Sequence, residues 1–571
     1  MKDELILGVW DGHDSGAALI KGDRVLAAVN EERLSRRKLE IRFPVSSIQA
    51  CLSCAGVFPQ DVDAVAVSTA DFSKTLARIY PRLKEEYYTI RRRKKLPGFA
   101  SGLKKRAKYA LTEIGCSALT RYASRQSLRS SLSGSGLQTG SLFFVDHHAC
   151  HAATAAFASG IDECLVITID GIGDALSGSL SVFRKGRLSR LRALSGRHSV
   201  GIFFEHVTNL MNMRELEDEG KVMALANYAY PIPDHENPLL DFISVEGLNV
   251  RCAYGSLRMY SELKKILWRF PSEQFAYMAQ RTLEIRLCEL VENCIRETGL
   301  NSLALAGGVF SNIKVNMQIR RIPGVRRCFV FPHMGDGGLA LGAGFMINYR
   351  RNGVAAYALD SVSWGPDYSD EEMADAVRKS GLGYRYSDRV EEETARLISS
   401  GHIVFWFQGR MEYGPRALGN RSILALPGSV QIKNLLNLRL KMRVWYQPFC
   451  PSMLEDDAAQ CLESYDGLTN RFMTMGYMVR PDRRAELEGV INIDGSCRPH
   501  IVTAHDSRFE KLLHEVKKIT GRGVVLNTSF NIHGDPLICS PRDALDTLKK
   551  TGNEYLVMGN FIITNTGSEA P

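Results

Sequence analysis

Residues 4–36 read ELILGVWDGHDSGAALIKGDRVLAAVNEERLSR, and residues 164–194 read CLVITIDGIGDALSGSLSVFRKGRLSRLRAL. In the first stretch an apolar run (Leu5–Val9) enters a polar loop (Asp11–Ser15). A second run (Ala17–Ile20), the turn Lys21-Gly22-Asp23 and a third run (Val25–Val29) follow. Short β-rich runs punctuated by Gly and Asp predict three strands. The second stretch repeats the order strand, Asp-Gly loop, strand, turn, strand. It is preceded by SLFFVDHHACHAATAAFA (141–158), a strand running into an Ala-rich helix. Two units of one design form a weak internal duplication.

That duplication suits the actin-like ATPase fold, in which loops after the first strands approach nucleotide phosphates through backbone N–H groups. Further along, Phe203–Ala226 and Ser272–Thr298 read as helices. LALAGGVFSNIKVNMQI (303–319) and VFPHMGDGGLALGAGFMI (330–347) each give a strand, a double glycine and a helix. Such junctions let a ligand approach the backbone at a helix N-terminus. Periodicity stops in RRNGVAAYALDSVSWGPDYS (350–369), which reads as a linker. A boundary near residue 360 would leave one domain over 1–355 and a second α/β domain over 361–571.

The chain has 571 residues, 45% hydrophobic and 24% charged, which excludes collagen, coiled-coil and disordered classes. No apolar stretch reaches the roughly 18 residues of a membrane helix. Thirteen cysteines without paired spacing fit a reducing cytoplasm. The one CxxC, Cys51–Cys54, has helical periodicity and reads as core helix.

The net charge of +9 is concentrated. Lys74–Ser130 carries 16 Lys/Arg and 3 Glu, a local +13 that leaves about −4 elsewhere. Its densest parts are Arg91–Lys95 and Lys104–Lys108, within an insertion spanning about 70–135. The run reads either as a surface for an anionic partner or as a solvated helical insertion followed by the flexible stretch SSLSGSGLQTGS (130–141).

Two constellations could carry chemistry. His147 and His151 stand at i and i+4 on a helix, so both imidazoles share a face and can reach one metal ion. Asp170, Asp174 and Asp336 follow apolar strands and would need a cation if buried. Two histidines with carboxylates suit Fe(II), Mn(II) or Zn(II), against the alternative of satisfied helix histidines and turn aspartates. In the second half, Arg410, Arg416 and Arg421 sit among glycines in GRMEYGPRALGNRS (409–422). With Arg439, Lys441, Arg443 and Arg498 they form a candidate anion grip, to which Asn527, Thr528 and Ser529 could add donors.

Taken together, these motifs resemble the NodU/CmcH family of O-carbamoyltransferases over nearly the full length except the basic insertion. The resemblance rests on GHDSGAAL with EERLSRRK, DHHACHAA, DGIGD, GIFFEHV with EGKVMALA, AGGVFSN, GDGG, GPRALGNRS and VLNTSFNIHGDPLICSP. It implies a duplicated actin-like N-terminal domain and a YrdC-like C-terminal domain. It also implies that carbamoyl phosphate and ATP, with Mg, give carbamoyladenylate, from which a small hydroxylated acceptor takes the carbamoyl group. Carried over residue by residue, His147, His151, Asp170 and Asp336 would be metal ligands, for iron(II) with manganese and zinc as alternatives. Gly171, Lys221, Gly307, Gly308 and Asn312 would border the adenylate. His13 would be the general base. Arg416, Lys441, Arg443, Arg498, Asn527 and Ser529 would hold carbamoyl phosphate. Two departures stand out: Gln447 where arginine is usual, and Glu219 where proline is common. A tRNA threonylcarbamoyl transferase is disfavoured because His147-His148-Ala149-Cys150-His151 lacks the Glu-Gly usual between those histidines. A non-catalytic nucleotide-gated binding protein is the remaining alternative. Nucleic acid is disfavoured as a partner, and a homodimer is an open option.

Overall fold

The computed structural model describes residues 3–94, 111–137 and 140–565. Lys95 and the cluster Lys104–Lys108 lie outside the described residues. The chain is mixed α/β and divides into two units, Met1–Glu31 with Leu39–Leu359, and Glu32–Lys38 with Asp360–Pro571.

The first unit contains two five-stranded sheets. One comprises β1 (Leu5–Trp10), β2 (Gly16–Lys21), β3 (Arg24–Asn30), β4 (Ala64–Ser68) and β5 (Leu142–Val145), in the order β3-β2-β1-β4-β5. The strands β6 (Glu163–Gly173), β7 (Leu176–Arg184) and β8 (Arg187–Ser195) come next. After a separate hairpin of β9 (Ile243–Glu246) and β10 (Asn249–Cys252) come β11 (Ser302–Ala306) and β12 (Arg327–Val330). The second sheet has the order β12-β11-β6-β7-β8. In both sheets the first three strands form an antiparallel meander, and the last two add in parallel on the other side. The duplication read from the two Asp-Gly stretches is therefore a duplication of topology.

Every residue of β1 is buried, as expected for a central strand covered on both faces. The helix Leu339–Asn352 packs on β1 so closely that a Cβ on Gly8 would stand 1.9 Å from Ala340 O. The same helix meets the helix His147–Phe157, where a Cβ on Gly342 would stand 2.2 Å from Cys150 O. This close approach brings the start of each helix into one neighbourhood, with Asp336 just before one and His147 opening the other.

Three expectations change. The run Phe203–Ala226 is not one helix but two, Val200–Leu210 and Glu219–Leu225. Asn212 and Leu216 adopt φ +59° and +66°, and Arg214 N–H donates to Asp218 Oδ2 at 2.9 Å, which turns the chain out of helix. The first part of the stretch expected to be flexible, residues 130–134, continues the helix Ala118–Gly134, pinned by buried Leu128 and Leu132, while residues 138–139 lie outside the described residues. Three of the described basic residues also turn inward onto one carboxylate, while Arg82, Arg121 and Arg129 are exposed. Arg78 donates to both Asp11 oxygens at 2.9 Å, Lys84 Nζ lies 3.1 Å from Oδ2, and Lys74 Nζ lies 3.9 Å from Oδ1 and over the Trp10 ring. The CxxC does lie on a helix, Val45–Ala55, with Cys51 buried and Cys54 exposed.

The second unit is built on an eight-stranded sheet. Its spatial order is Gly383–Tyr386, Phe561–Thr564, Tyr555–Met558, Val404–Phe407, Arg421–Ala425, Val524–Ser529, Cys450–Leu454 and His500–Val502. The helices Val390–Ser399 and Ser507–Thr520 cover one face, packing Ile398, Leu512 and Val516 against Val404, Trp406 and Val557. Among the described residues no helix is long and apolar enough to cross a membrane.

Asp11 is 1% exposed and is paired with Arg78, Lys84 and Lys74. Burial works against its charge, yet Arg78, Lys84 and Lys74 hold its carboxyl well below the usual range. Asp11→Asn should therefore cost about 3–5 kcal/mol in chemical denaturation, the usual penalty for orphaning a buried ion pair. The double variant Asp11→Leu/Arg78→Leu should recover part of it; equal losses in both would refute the ion-pair account.

Candidate metal centre and anion-binding site

The first site is built where the two helix starts meet. Asp146 caps the helix His147–Phe157 by accepting Ala149 N–H at 2.8 Å. His147 and His151 then present Nε2 one turn apart. His151 Nε2 lies 3.0 Å from Asp170 Oδ2 and 3.5 Å from Asp336 Oδ1. For His147 the same distances are 3.4 and 3.5 Å. Asp170 comes from β6 and Asp336 from the loop after β12. One donor atom from each of the four residues lies within 4.8 Å of every other.

Space around this cluster is kept by glycines. A Cβ on Gly173 would stand 2.3 Å from the His147 ring, and one on Gly308 would stand 2.8 Å from Asp170 Oδ1. Two nitrogens and two carboxylate oxygens are the donor types that mid-series divalent ions accept. The electrostatics agree. Burial disfavours a charged His147, but Asp336 and Asp170 outweigh it and push its imidazole from 6.5 up to about 9. Burial likewise opposes a charged Asp170, yet hydrogen bonds from His147 and His151 hold it well below the usual range. The two carboxylates therefore demand positive charge here, from protons or from a dication.

His148 faces away, with Nδ1 3.1 Å from Thr168 Oγ1 and Nε2 3.1 Å from Leu176 O, and burial pushes it down to about 3. Asp174 does not join the cluster. It accepts His147 N–H at 2.6 Å and bonds Thr69 and Cys116, so it braces the helix start. His13 Nε2 lies 3.1 Å from Asp336 Oδ2, with a third of the side chain exposed. Burial, Arg91 and Lys74 lower its pKa against the pull of Asp336. Two residues that the sequence did not flag tie these loops together. Asn30 Nδ2 donates to Asp14 O and Gly337 O, and Asn30 Oδ1 lies 3.0 Å from His333 Nε2.

Of the other residues assigned to the first unit, Gly171 and Gly308 lie beside Asp170, whereas Asn312 and Lys221 have polar partners of their own. Gly171 N–H donates to Asp170 Oδ1 at 2.8 Å. Gly307, at φ +104°, packs onto Ile169 with no room for a side chain, and Gly308 follows it beside Asp170. Asn312 caps the helix Ile313–Arg320 and exchanges amide hydrogen bonds with Gln280. Lys221 Nζ pairs with Asp218 Oδ1 at 2.8 Å.

The second site lies in the second unit and carries the opposite sign. Arg498 Nε and Nη2 approach Cys450 Sγ at 3.2 and 3.0 Å. Arg443 donates to Asn437 Oδ1 at 2.6 Å and covers the Phe449 ring. Buried Arg416 Nε has no hydrogen-bond partner. Burial and then Arg498 push Arg416 down to about 9; Arg443 reaches about 9 through burial and Arg498, against Cys450. Among the described residues none of these three guanidiniums has a carboxylate within salt-bridge distance. Asn527, across the strand pair from Cys450, donates to Ala417 O and Ser452 Oγ and leaves its buried Oδ1 without a partner.

The remaining cations of the expected grip are used inside the fold. Lys441 Nζ donates to Ser529 O, Ser529 Oγ, Asn531 O and Asn531 Oδ1 at 2.6–3.1 Å. Arg410 donates to the carbonyls of Trp364 and Gly365, and Arg421 to those of Gln408, Gly409 and Asn420. Arg439 is exposed. Glu412, unmarked by any motif reading, shapes the GPRALGN loop: its Oε1 accepts the N–H groups of Leu418, Asn420 and Arg421 at 2.8–3.1 Å. Glu32–Lys38 of the EERLSRRK segment joins this unit, with Arg33 donating to Gly414 O and Arg36 to Leu537 O, both at 2.7 Å.

Comparison with known proteins gives matches along both units. Residues 5–345 match the family described as "Carbamoyltransferase N-terminus", and residues 395–565 match "Carbamoyltransferase C-terminus". Nodulation protein NolNO of Sinorhizobium fredii is 30% identical over 96% of this chain and 79% of its own length. Nodulation protein NolO of Bradyrhizobium diazoefficiens is 32% identical over 73% of this chain and 78% of its own length. Nodulation protein U of Rhizobium tropici is 32% identical over 41% of this chain and 39% of its own length.

The raised His147 gives the first site a pH signature. In protein stripped of divalent metal, a pKa raised from 6.5 to about 9 adds stability that is complete below 6.5 and lost as pH rises through 9. The melting temperature of chelator-treated protein should therefore fall across that window. Protein loaded with Zn(II) or Mn(II), which bind neutral imidazole, should fall less. A flat profile in the stripped protein would mean that protons do not balance these carboxylates.

Proposed function

The chain belongs to the carbamoyltransferase family, and we propose that it is an O-carbamoyltransferase that activates a carbamoyl group in its second unit and transfers it in its first. The observation that carries this reading is the trio Arg416, Arg443 and Arg498, partly buried together with no carboxylate to balance them among the described residues. Guanidinium groups left uncompensated in this way are suited to a phosphorylated substrate. Carbamoyl phosphate supplies both a phosphate for this trio and an amide donor for the open Asn527 Oδ1.

Water cleaves carbamoyl phosphate to carbamate and phosphate. A carbamate oxygen attacks the α-phosphorus of ATP, forming carbamoyladenylate and releasing pyrophosphate. An acceptor hydroxyl oxygen then bonds to the carbamoyl carbon, the carbon–oxygen bond to AMP breaks, and AMP leaves. His13, whose burial favours the neutral imidazole, takes the hydroxyl proton. His147, His151, Asp170 and Asp336 would hold a divalent metal, iron(II) with manganese(II) and zinc(II) as alternatives. Such an ion would supply a positive charge that polarises carbamoyl and phosphate oxygens. The chain's own contribution is orientation: Asp174 and Asp146 fix the start of the histidine helix, and Asn30 joins the His13 and Asp336 loops.

In this reading the duplicated sheets are an actin-like transfer domain over 1–355, and 361–571 is a YrdC-like adenylate-forming domain. Gly171, Lys221, Gly307, Gly308 and Asn312 would border the adenylate. Ser529 would act through the loop that Lys441 fastens. The acceptor is a small hydroxylated molecule, and the protein works in the cytoplasm.

The test is release of AMP and pyrophosphate from ATP with and without carbamoyl phosphate. Wild type should release both only when carbamoyl phosphate is present. Arg498→Ala should lower kcat/KM for carbamoyl phosphate about 10- to 150-fold, as expected for one charged hydrogen-bonding group. AMP release that ignores carbamoyl phosphate, or none from folded metal-loaded protein, would refute the activation step.

A further inference from the structure

Beyond the effect of Arg91 and Lys74 on His13, the basic run has no part in the chemistry above, yet its described half is firmly placed. The end of the helix Pro81–Arg91 is fastened to residues 211–218 by consecutive arginines. Arg91 pairs with Glu205 and lies 3.1 Å from Glu215 Oε2, and Arg92 pairs with Glu217. Arg93 donates to Asn212 Oδ1 and Met213 O at 3.0 Å. The Arg91 and Arg92 side chains are only 14% and 9% exposed, so solvent screens these pairs little. The same loop interrupts the helical run that the sequence predicted across it.

Between this helix and this loop lies a small cavity. Its lining includes His13, Leu39, Tyr87, Tyr88, Arg91 and Leu216, and it offers about 20 Å³, room for one water-sized group. Arg91 stacks over the Tyr87 ring at 5.0 Å while its charge is matched by Glu205 and Glu215. The cavity therefore presents His13 at one side, aromatic and aliphatic walls elsewhere, and ion pairs already neutralised among themselves.

We propose that the helix Pro81–Arg91 is the acceptor-side wall of the transfer site, and that Tyr87 and Leu216 select an unhindered primary hydroxyl. The proposal rests on the carbamoyl-transfer reading. A space of this size admits the hydroxyl oxygen alone, so its carbon stands at the mouth, where a second substituent would meet the Tyr87 ring or the Leu216 side chain. Because the arginine clamp fixes the wall, selection is steric. Because the charges are internally paired, the group that enters is neutral. The bond changes are those of the transfer step: hydroxyl oxygen to carbamoyl carbon, loss of AMP, and the proton to His13.

The experiment uses the full chain, metal-loaded, with 1-propanol and 2-propanol as competing acceptors and carbamate esters measured by mass spectrometry. Carbamoyl-phosphate-dependent exchange of pyrophosphate into ATP is followed in parallel. Wild type should prefer 1-propanol by about tenfold or more, the range expected when one methyl group is sterically excluded. Tyr87→Ala and Leu216→Ala should each reduce that preference at least threefold, Tyr87→Phe should keep it, and all should exchange at the wild-type rate. Should Tyr87→Ala fail to fold, Leu216→Ala and Tyr87→Leu carry the comparison. An unchanged preference in the truncated variants, or no ester from either alcohol while exchange proceeds, overturns the acceptor wall and leaves the carbamoyl-transfer reading standing. Absence of exchange removes both.

Discussion

Two carboxylates buried against two imidazoles set the terms for the first unit. Asp170 and Asp336 bring negative charge into a largely enclosed space, and such charge persists only when matched. The match comes from His147 and His151, and it requires four segments distant in sequence to converge. Close packing of the helices His147–Phe157 and Leu339–Asn352 makes this convergence possible, and Gly342 is the point at which it would fail. The duplicated topology helps: β1 and β6 occupy equivalent central positions, with His13 in the loop after β1 and Asp170 in the C-terminal part of β6. Ligands of open α/β sheets gather at such strand ends.

The second unit poses the converse electrostatic problem. Arg416, Arg443 and Arg498 are left with cysteine sulfur, amide oxygen and an aromatic face for company, none of which neutralises a guanidinium. The fold uses other cations for itself: Arg410, Arg421 and Lys441 donate to carbonyl and amide oxygens of their own unit. One kind of cation holds loops in shape, and the other is left for something that the chain does not contain. A buried charge deficit of one sign, maintained by the surrounding structure, is a stronger indication of a ligand than a count of arginines among glycines.

That distinction marks what was legible in the sequence. The paired imidazoles could be read because i and i+4 share a helix face whatever the tertiary structure. Asp170 could be read because a carboxylate ending an apolar strand has few other uses, and the repeated Asp-Gly stretches exposed the topological duplication. Asp174 looked equivalent to Asp170 from its position. Only the left-handed turn at Asp174 and Ala175 directs it to the His147 N–H instead. Lys441 could not be separated from Arg498 because its partners are carbonyls some 90 residues away. Glu412 and Asn30 escaped notice because each acts on backbone groups, which no motif records.

The helix break at 211–218 shows why charge runs mislead when read alone. Residues Arg214–Asp218 alternate bulky and acidic side chains compatible with helix, and Arg91–Arg93 look like a solvated basic patch. Each is the other's partner. Helix continuation would direct Glu215 and Glu217 to different faces, whereas the left-handed residues Asn212 and Leu216 bring both toward the arginines. The side-chain pairing thus selects the backbone conformation, and the acidic run is the counterpart that the basic run lacks within its own segment. A surplus of +13 counted along the sequence is partly neutralised by residues more than a hundred positions away, so local charge density predicts a partner without saying whether that partner is another molecule or the chain itself.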